Sequence, residues 1–236
     1  MRLNNRTAGD LRPVKFEFGF QKYREGSVLV SFGDTRVLCS ASREERVPPF
    51  LAGRGSGWVT AEYSMLPGST LTRSSRERGG GPSGRTHEIQ RLIGRSLRAV
   101  TDLRAFPDKT VHIDCDVLQA DGGTRTASIT GACLALESAF RYMKRSGILS
   151  ADPLRTRVAA VSVGIVRGEP MLDLDYEEDS TADVDMNLVM TGTGGIVEIQ
   201  GTAEREPFSD VQLETMMVLA RRGISDLLRM QSEAMA

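Results

Sequence analysis

The chain has 236 residues, of which 40% are hydrophobic and 26% charged, a composition that predicts a soluble globular protein of one large or two small domains. Thirty Lys and Arg against 31 Asp and Glu leave a net charge of −1, so overall charge carries no nucleic-acid signal. Three cysteines in apolar patterns, with no C-x-x-C pair, exclude a disulfide framework and point to a reducing cytoplasm, and two histidines exclude a His-rich metal site. Met1–Arg6 has no apolar core of a signal peptide, and the apolar run Val158–Val166 is far shorter than the ~20 residues a membrane helix needs, so we expect a cytoplasmic protein with no membrane partner.

Val14–Phe20, Ser27–Phe32 and Arg36–Ser42 alternate or are rich in β-formers and read as strands, the last two joined by a tight turn at Gly33-Asp34. Trp58–Leu66 reads as a further strand. Residues 67–84 form a loop rich in Gly, Ser, Arg and Pro, too long for a passive connection. A helix follows from about His87 to Leu103, with Ile89, Leu92, Ile93, Leu97 and Val100 as its apolar stripe. Arg91, Arg95 and Arg98 fall on another face, either as a solvated charged surface or as a basic ridge that continues the loop arginines. Thr110–Gln119 alternates as a strand and leads into a helix from Thr126 to about Arg145. Strands at Val158–Val166 and Met171–Tyr176 turn about Arg167-Gly168, and those at Met186–Thr191 and Ile196–Ala203 turn about Gly192–Gly195. A last helix starts at Ser209, with Gln212 as its capping partner. With no linker in view, the pattern predicts one α+β domain over residues 1–236, with mixed β-sheets packed on three main helices.

Charge is segregated along the chain. Arg43–Arg104 holds eleven arginines and six acids, whereas Glu169–Asp185 holds eight acids and no basic residue. Only four of the basic residues are lysines; arginine is the better bidentate partner for phosphate, although the bias of a source genome produces the same count.

The stretch A-D-G-G-T-R-T-A-S-I-T-G-A, residues 120–132, places two glycines, a hydroxyl and an arginine between a strand and a helix. Free N–H groups and the helix dipole favour an anion there, Gly122 and Gly123 let a ligand approach the backbone, and Arg125 adds a planar fork of donors. Ser83-Gly-Arg85-Thr86 is a second Gly-Arg corner at a helix start, and the two corners could hold one phosphate between them. Asp179 and Asp185 flank a six-residue step that a hairpin or loop could fold onto one spot, where paired carboxylates hold Mg²⁺ or divide acid and base roles. Asp183 competes for either role. His112-Ile-Asp114-Cys-Asp116 fails as an aspartate-nucleophile phosphatase motif, because Leu118 stands where Thr or Val is required. Gly192-Thr-Gly-Gly195 fails as a dinucleotide motif, because Val197 stands in place of the third glycine.

Taken together, GSVLVSFGDTRVLCSAS (26–42), GWVTAEYSMLP (57–67), SGRTHEIQRLIGRSLRAV (83–100), DCDVLQADGGTRTASITGA (114–132), EDSTADVDMN (178–187) and EIQGTAE (198–204) resemble ribonuclease PH, a family of bacterial phosphate-dependent 3′-exoribonucleases. The resemblance runs from about Leu11 to the last helix. It implies a ribonuclease PH-type fold, with Arg85, Gly123, Thr124 and Arg125 binding inorganic phosphate as co-substrate. It implies Asp179 and Asp185 as catalytic carboxylates with Mg²⁺, and RNA, especially tRNA precursor 3′ ends, as substrate. It implies a homo-hexamer built as a trimer of dimers. Arg73, Arg76 and Arg78 would lie near the RNA path or the subunit contact, and Arg91 and Arg98 are further candidates for RNA binding. Two departures stand out: residues 79–82 lack the lysine that many relatives carry, and Arg205 stands where a glycine is usual. A ring-forming RNA-binding subunit without catalysis is the alternative of another class, but it has lost such residues, and here the phosphate residues and the acidic pair are all present. Hydrolytic trimming is a second alternative, and water needs no double arginine cradle.

Overall fold

The alternation in the first half builds a five-stranded sheet of order β1-β2-β3-β5-β4, from β1 (Val14–Phe18), β2 (Gly26–Phe32), β3 (Thr35–Glu44), β4 (Trp58–Met65) and β5 (Thr110–Gln119). The structure, a computed structural model, describes residues 2, 5–77 and 81–236. Neighbouring strands run antiparallel except β4 and β5, which are parallel and joined through helix α1 (Gly84–Ala99), since parallel neighbours need a crossover. A second, wholly antiparallel sheet has the order β7-β6-β8-β9, from β6 (Val158–Val166), β7 (Glu169–Leu172), β8 (Val184–Thr191) and β9 (Ile196–Ala203).

Helix α2 (Thr124–Arg145) packs on β2, β3 and β5 of the first sheet and on β6 of the second. Sixteen of its residues are buried, which explains why its sequence is apolar on nearly every side. Helix α4 (Asp210–Ala234) covers β6 and β7 and lies beside α2, where the fully buried Gln231 donates to the carbonyls of Thr130 and Val158. All nine residues of β6 are buried, so it reads as a continuous apolar run rather than an alternating one. Among the described residues no helix is long and apolar enough to cross a membrane.

Cys39, Cys115 and Cys133 are free and buried, the first two directly opposite each other across β3 and β5. Contact with Cys39 and burial push the Cys115 thiol well above its ordinary range, and burial pushes Cys133 up to about 12.

The expected mixture of α and β with three main helices is present, and a fourth, short helix, α3 (Tyr176–Thr181), joins it. It replaces the end of the expected strand Met171–Tyr176, because Asp173 takes a left-handed conformation (φ 53°) and closes β7 at Leu172. Helix α1 starts at Gly84 rather than His87, since the Ser83 hydroxyl caps the Thr86 N–H, and it ends at Ala99.

Candidate active site

One cleft of about 860 Å³ takes residues from both sheets. Arg85, Gly122, Gly123, Thr124 and Arg125 line it together with Asp179, Asp185, Ser162 and Asn187. The structure therefore brings the two Gly-Arg corners and the acidic pair into one place. It does so through long-range packing: β5 delivers the glycine turn, β4 leads to the corner at Arg85, and α3 and β8 carry the carboxylates.

The glycine turn follows from local chemistry. Gly122 (φ 73°) and Gly123 (φ 64°) both lie in the left-handed region, and Gly123 serves as the N-cap of α2 without a side chain of its own. A Cβ on Gly122 would stand 2.6 Å from the carbonyl oxygen of Leu174, so only glycine fits the turn. Thr124 is buried, and its hydroxyl meets the Tyr63 hydroxyl at 2.8 Å. Burial raises the Tyr63 phenol above its usual range and keeps it neutral. Arg125 is held from behind by the Gln200 carbonyl oxygen and lies 3.6 Å from Glu88, and Gln200 in turn donates to Glu88 at 2.6 Å.

The carboxylates face this positive rim. Asp185 and Asn187 stand two residues apart on β8 and so project from one face of the sheet. Asp179 comes from α3, not from a hairpin or an irregular loop; the helix is fixed by a capping box between Asp175 and Glu178. Burial lifts the Asp179 carboxyl, although Arg125 and Arg85 pull it down. Burial and the charge of Asp179 push Asp185 up to about 6. The Oδ1 atom of Asp185 is buried without a hydrogen-bond partner in the protein. Asp183 lies apart: it does not line the cleft, and its carboxylate is 3.7 Å from Arg205, which gives that arginine a partner at the protein surface.

The arginines expected along an RNA path are spread out. Arg73 and Arg76 are exposed on the loop before α1, Arg91 is exposed on α1, and none of them lines the cleft. Arg98 lies over the Trp58 ring at 4.4 Å and donates to the Val59 carbonyl at 2.9 Å, so packing holds it. Arg95 pairs with Glu198 at 2.7 Å and docks α1 on β9. Arg78 and two of the residues in 79–82 lie outside the described residues.

Two residues that carry the cleft escaped sequence reasoning. Arg12 and Asp173 are buried (4% and 0% exposed) and joined by two side-chain hydrogen bonds of 2.7 and 3.0 Å. Arg12 also donates to the carbonyls of Asp121 and Gly122. No local spacing signals a pair 161 residues apart; the only hint was an acidic residue in the otherwise apolar run 171–174.

The model for the 3′ exoribonuclease family, domain 1, matches residues 10–141, and that for domain 2 matches residues 156–223. The chain is 61% identical over 237 residues to ribonuclease PH of Methylobacterium radiotolerans, across 100% of both chains. It is 60% identical over 231 residues to ribonuclease PH of Syntrophomonas wolfei, across 98% of this chain and 97% of that one. The fold is also similar to the Archaeoglobus fulgidus exosome with RNA bound to the active site (TM-score 0.81, 20% identity, 96% of this chain and 91% of that one). An archaeal exosome core superposes with a TM-score of 0.79 at 20% identity, over 98% and 91% of the two chains. Similarity this high over the full length, with both family models matched in order, means that the chain belongs to the ribonuclease PH family of 3′ exoribonucleases.

Proposed function

We propose that this chain shortens RNA from the 3′ end with inorganic phosphate as the attacking group. The observation that carries this reading is the shared cleft, with Arg85 and Gly123–Arg125 on one side and Asp179 and Asp185 on the other. Inorganic phosphate held by Arg85, Arg125, the Thr124 hydroxyl and the α2 N-terminus places an oxygen against the last phosphodiester. A bond forms from that oxygen to phosphorus, and the bond from phosphorus to the 3′-oxygen breaks. A nucleoside diphosphate leaves, and the RNA keeps a free 3′-hydroxyl. The reverse reaction adds a nucleotide. Most of the acceleration in such a transfer comes from positioning and from charge stabilisation by the arginines.

The leaving 3′-oxygen needs a proton. Asp185, pushed up to about 6, can hold one on its carboxyl group near neutral pH and deliver it. In the alternative role the same carboxylates, both ionised, fit a divalent cation in place of the proton: Asp185 Oδ1 is an unused acceptor, and two carboxylates with the remaining positions left to water and phosphate oxygens suit Mg²⁺. When bound by Asp179 and Asp185, the cation would neutralise charge that develops on the 3′-oxygen.

We place the matched segments together as one working unit, because the cleft needs both. We further propose tRNA precursors as substrates, a hexameric ring of three dimers, and cytoplasmic action. Incubation of a short RNA with Mg²⁺, with and without inorganic phosphate, tests the central reading. Nucleoside diphosphates that form only with phosphate are expected. Monophosphates formed without phosphate would establish hydrolysis instead, and RNA binding without products would establish a scaffold.

Only 6% of the residues are aromatic, so base stacking is limited and the grip on RNA is expected to be electrostatic. Arg73, Arg76 and Arg91 are the exposed candidates for it. Three phosphate contacts to a single strand predict roughly 20-fold weaker binding between about 50 and about 200 mM salt. A dissociation constant that stays flat across that titration contradicts an electrostatic grip.

A further inference from the structure

Arg12 sits outside the cleft lining yet touches the backbone that forms it. Its guanidinium makes a two-point pair with Asp173, at 3.0 Å through Nε and 2.7 Å through Nη2, while its backbone N–H donates to the same carboxylate at 2.7 Å. Its remaining donors reach the carbonyls of Asp121 and Gly122 on the other side. Arg12 thus bridges two segments: the glycine turn that opens α2, and the stretch that leads through Asp175 into α3 and Asp179. Thr35 secures the same turn, as its hydroxyl donates to the Gly122 carbonyl at 2.6 Å and accepts from the Asp121 N–H at 2.9 Å. Arg6 ties the far segment down from outside, donating to the Asp173 carbonyl at 2.9 Å and to Asp175 at 3.1 Å.

We propose that Arg12, with Asp173, is a positioning residue that sets the distance between the phosphate cradle and the catalytic carboxylates. A planar fork suits this task, because it fixes two partners in one plane where an ammonium group fixes neither. The turn at Gly122 and Gly123 has no side chains to brace it, so its carbonyl contacts to Arg12 and Thr35 define where its N–H groups point. Arg12 acts through these neighbours and meets no substrate atom. This inference rests on the phosphate-dependent reading given above.

Two substitutions test it. Arg12→Lys keeps a positive charge beside buried Asp173 and removes the fork. Thr35→Val keeps the ion pair intact and removes only the second brace, and Thr35→Ser restores it. Inorganic phosphate is titrated into each protein by calorimetry, and KM for phosphate and for RNA are measured separately. Arg12→Lys and Thr35→Val are expected to weaken phosphate binding and raise its KM by roughly tenfold or more, with KM for RNA within about twofold and with recovery in Thr35→Ser. Lower melting temperatures with unchanged phosphate affinity and KM would mean that the two residues only hold the fold, which overturns the proposal. Should Arg12→Lys not fold, Thr35→Val decides on its own. Titration of the unsubstituted protein separates the two levels. Absence of phosphate binding there defeats the phosphate-dependent reading and the positioning role together; binding that both variants leave untouched defeats the positioning role alone.

Discussion

Arg125→Ala is expected to slow nucleoside diphosphate release by about 10²–10³-fold at saturating RNA, the range seen when a preorganised donor to a developing charge is deleted. Arg125 combines three properties that make it costly to lose. It is the second residue of α2, where the backbone already favours an anion. Its side chain is only 15% exposed, so little water takes over its contacts. Its charge also lowers the proton affinity of both Asp179 and Asp185, so the alanine variant loses a counter-charge to the acidic pair as well as a phosphate ligand. Arg125→Lys should fall between the two, since it keeps the charge and loses the fork held by Gln200. Initial rates across a phosphate titration check this, and near wild-type turnover in Arg125→Ala would refute the assignment.

Asp185→Asn is expected to lose about 10²–10⁴-fold in rate, the usual contribution of a proton-transfer group, and at the same time to melt at a higher temperature above pH 6. The second effect follows from linkage. Burial and Asp179 raise the folded-state pKa of Asp185 from 3.8 to about 6, so the folded chain binds this proton more tightly than the unfolded chain does. Ionisation of Asp185 therefore opposes folding, with the penalty growing from about pH 4 to pH 6 and complete above it. Asparagine removes that charge. The gain is on the order of 1–3 kcal/mol at about pH 8 and disappears below about pH 3, where aspartate is largely protonated in both states. For a chain of this size each kcal/mol is roughly 2–4 °C, which thermal melts in chelator at both pH values resolve. A variant that is less stable than the parent at the higher pH contradicts a buried, penalised charge.

Much of this arrangement was legible before folding. The strands of both sheets, the stripe of α1 and the capped start of α4 follow from short-range periodicity, and the structure places them within a few residues of expectation. Gly123-Thr-Arg125 and Ser83-Gly-Arg85 were legible as helix-start corners, and the structure brings both to one cleft. Helix α3 was missed because Tyr176–Thr181 has no apolar stripe; its signal was the D-x-x-E spacing of Asp175 and Glu178. Arg12 and Asp173 were illegible for a different reason. Their meaning arises only when β7 is laid beside the amino-terminal segment, where the Leu172 N–H bonds the Ala8 carbonyl at 2.8 Å.

The cleft takes its proposed phosphate ligands from the segment that carries the first sheet and its carboxylates from the segment that carries the second. A ligand seated there is a mortar between the two halves as much as a reactant. Each phosphate captured by the folded chain and ignored by the unfolded one shifts the folding equilibrium, by about 2.7 kcal/mol at a concentration of 100 Kd. Phosphate supply and the lifetime of the enzyme are then coupled: a cell short of phosphate would hold a slower exonuclease and also a more fragile one.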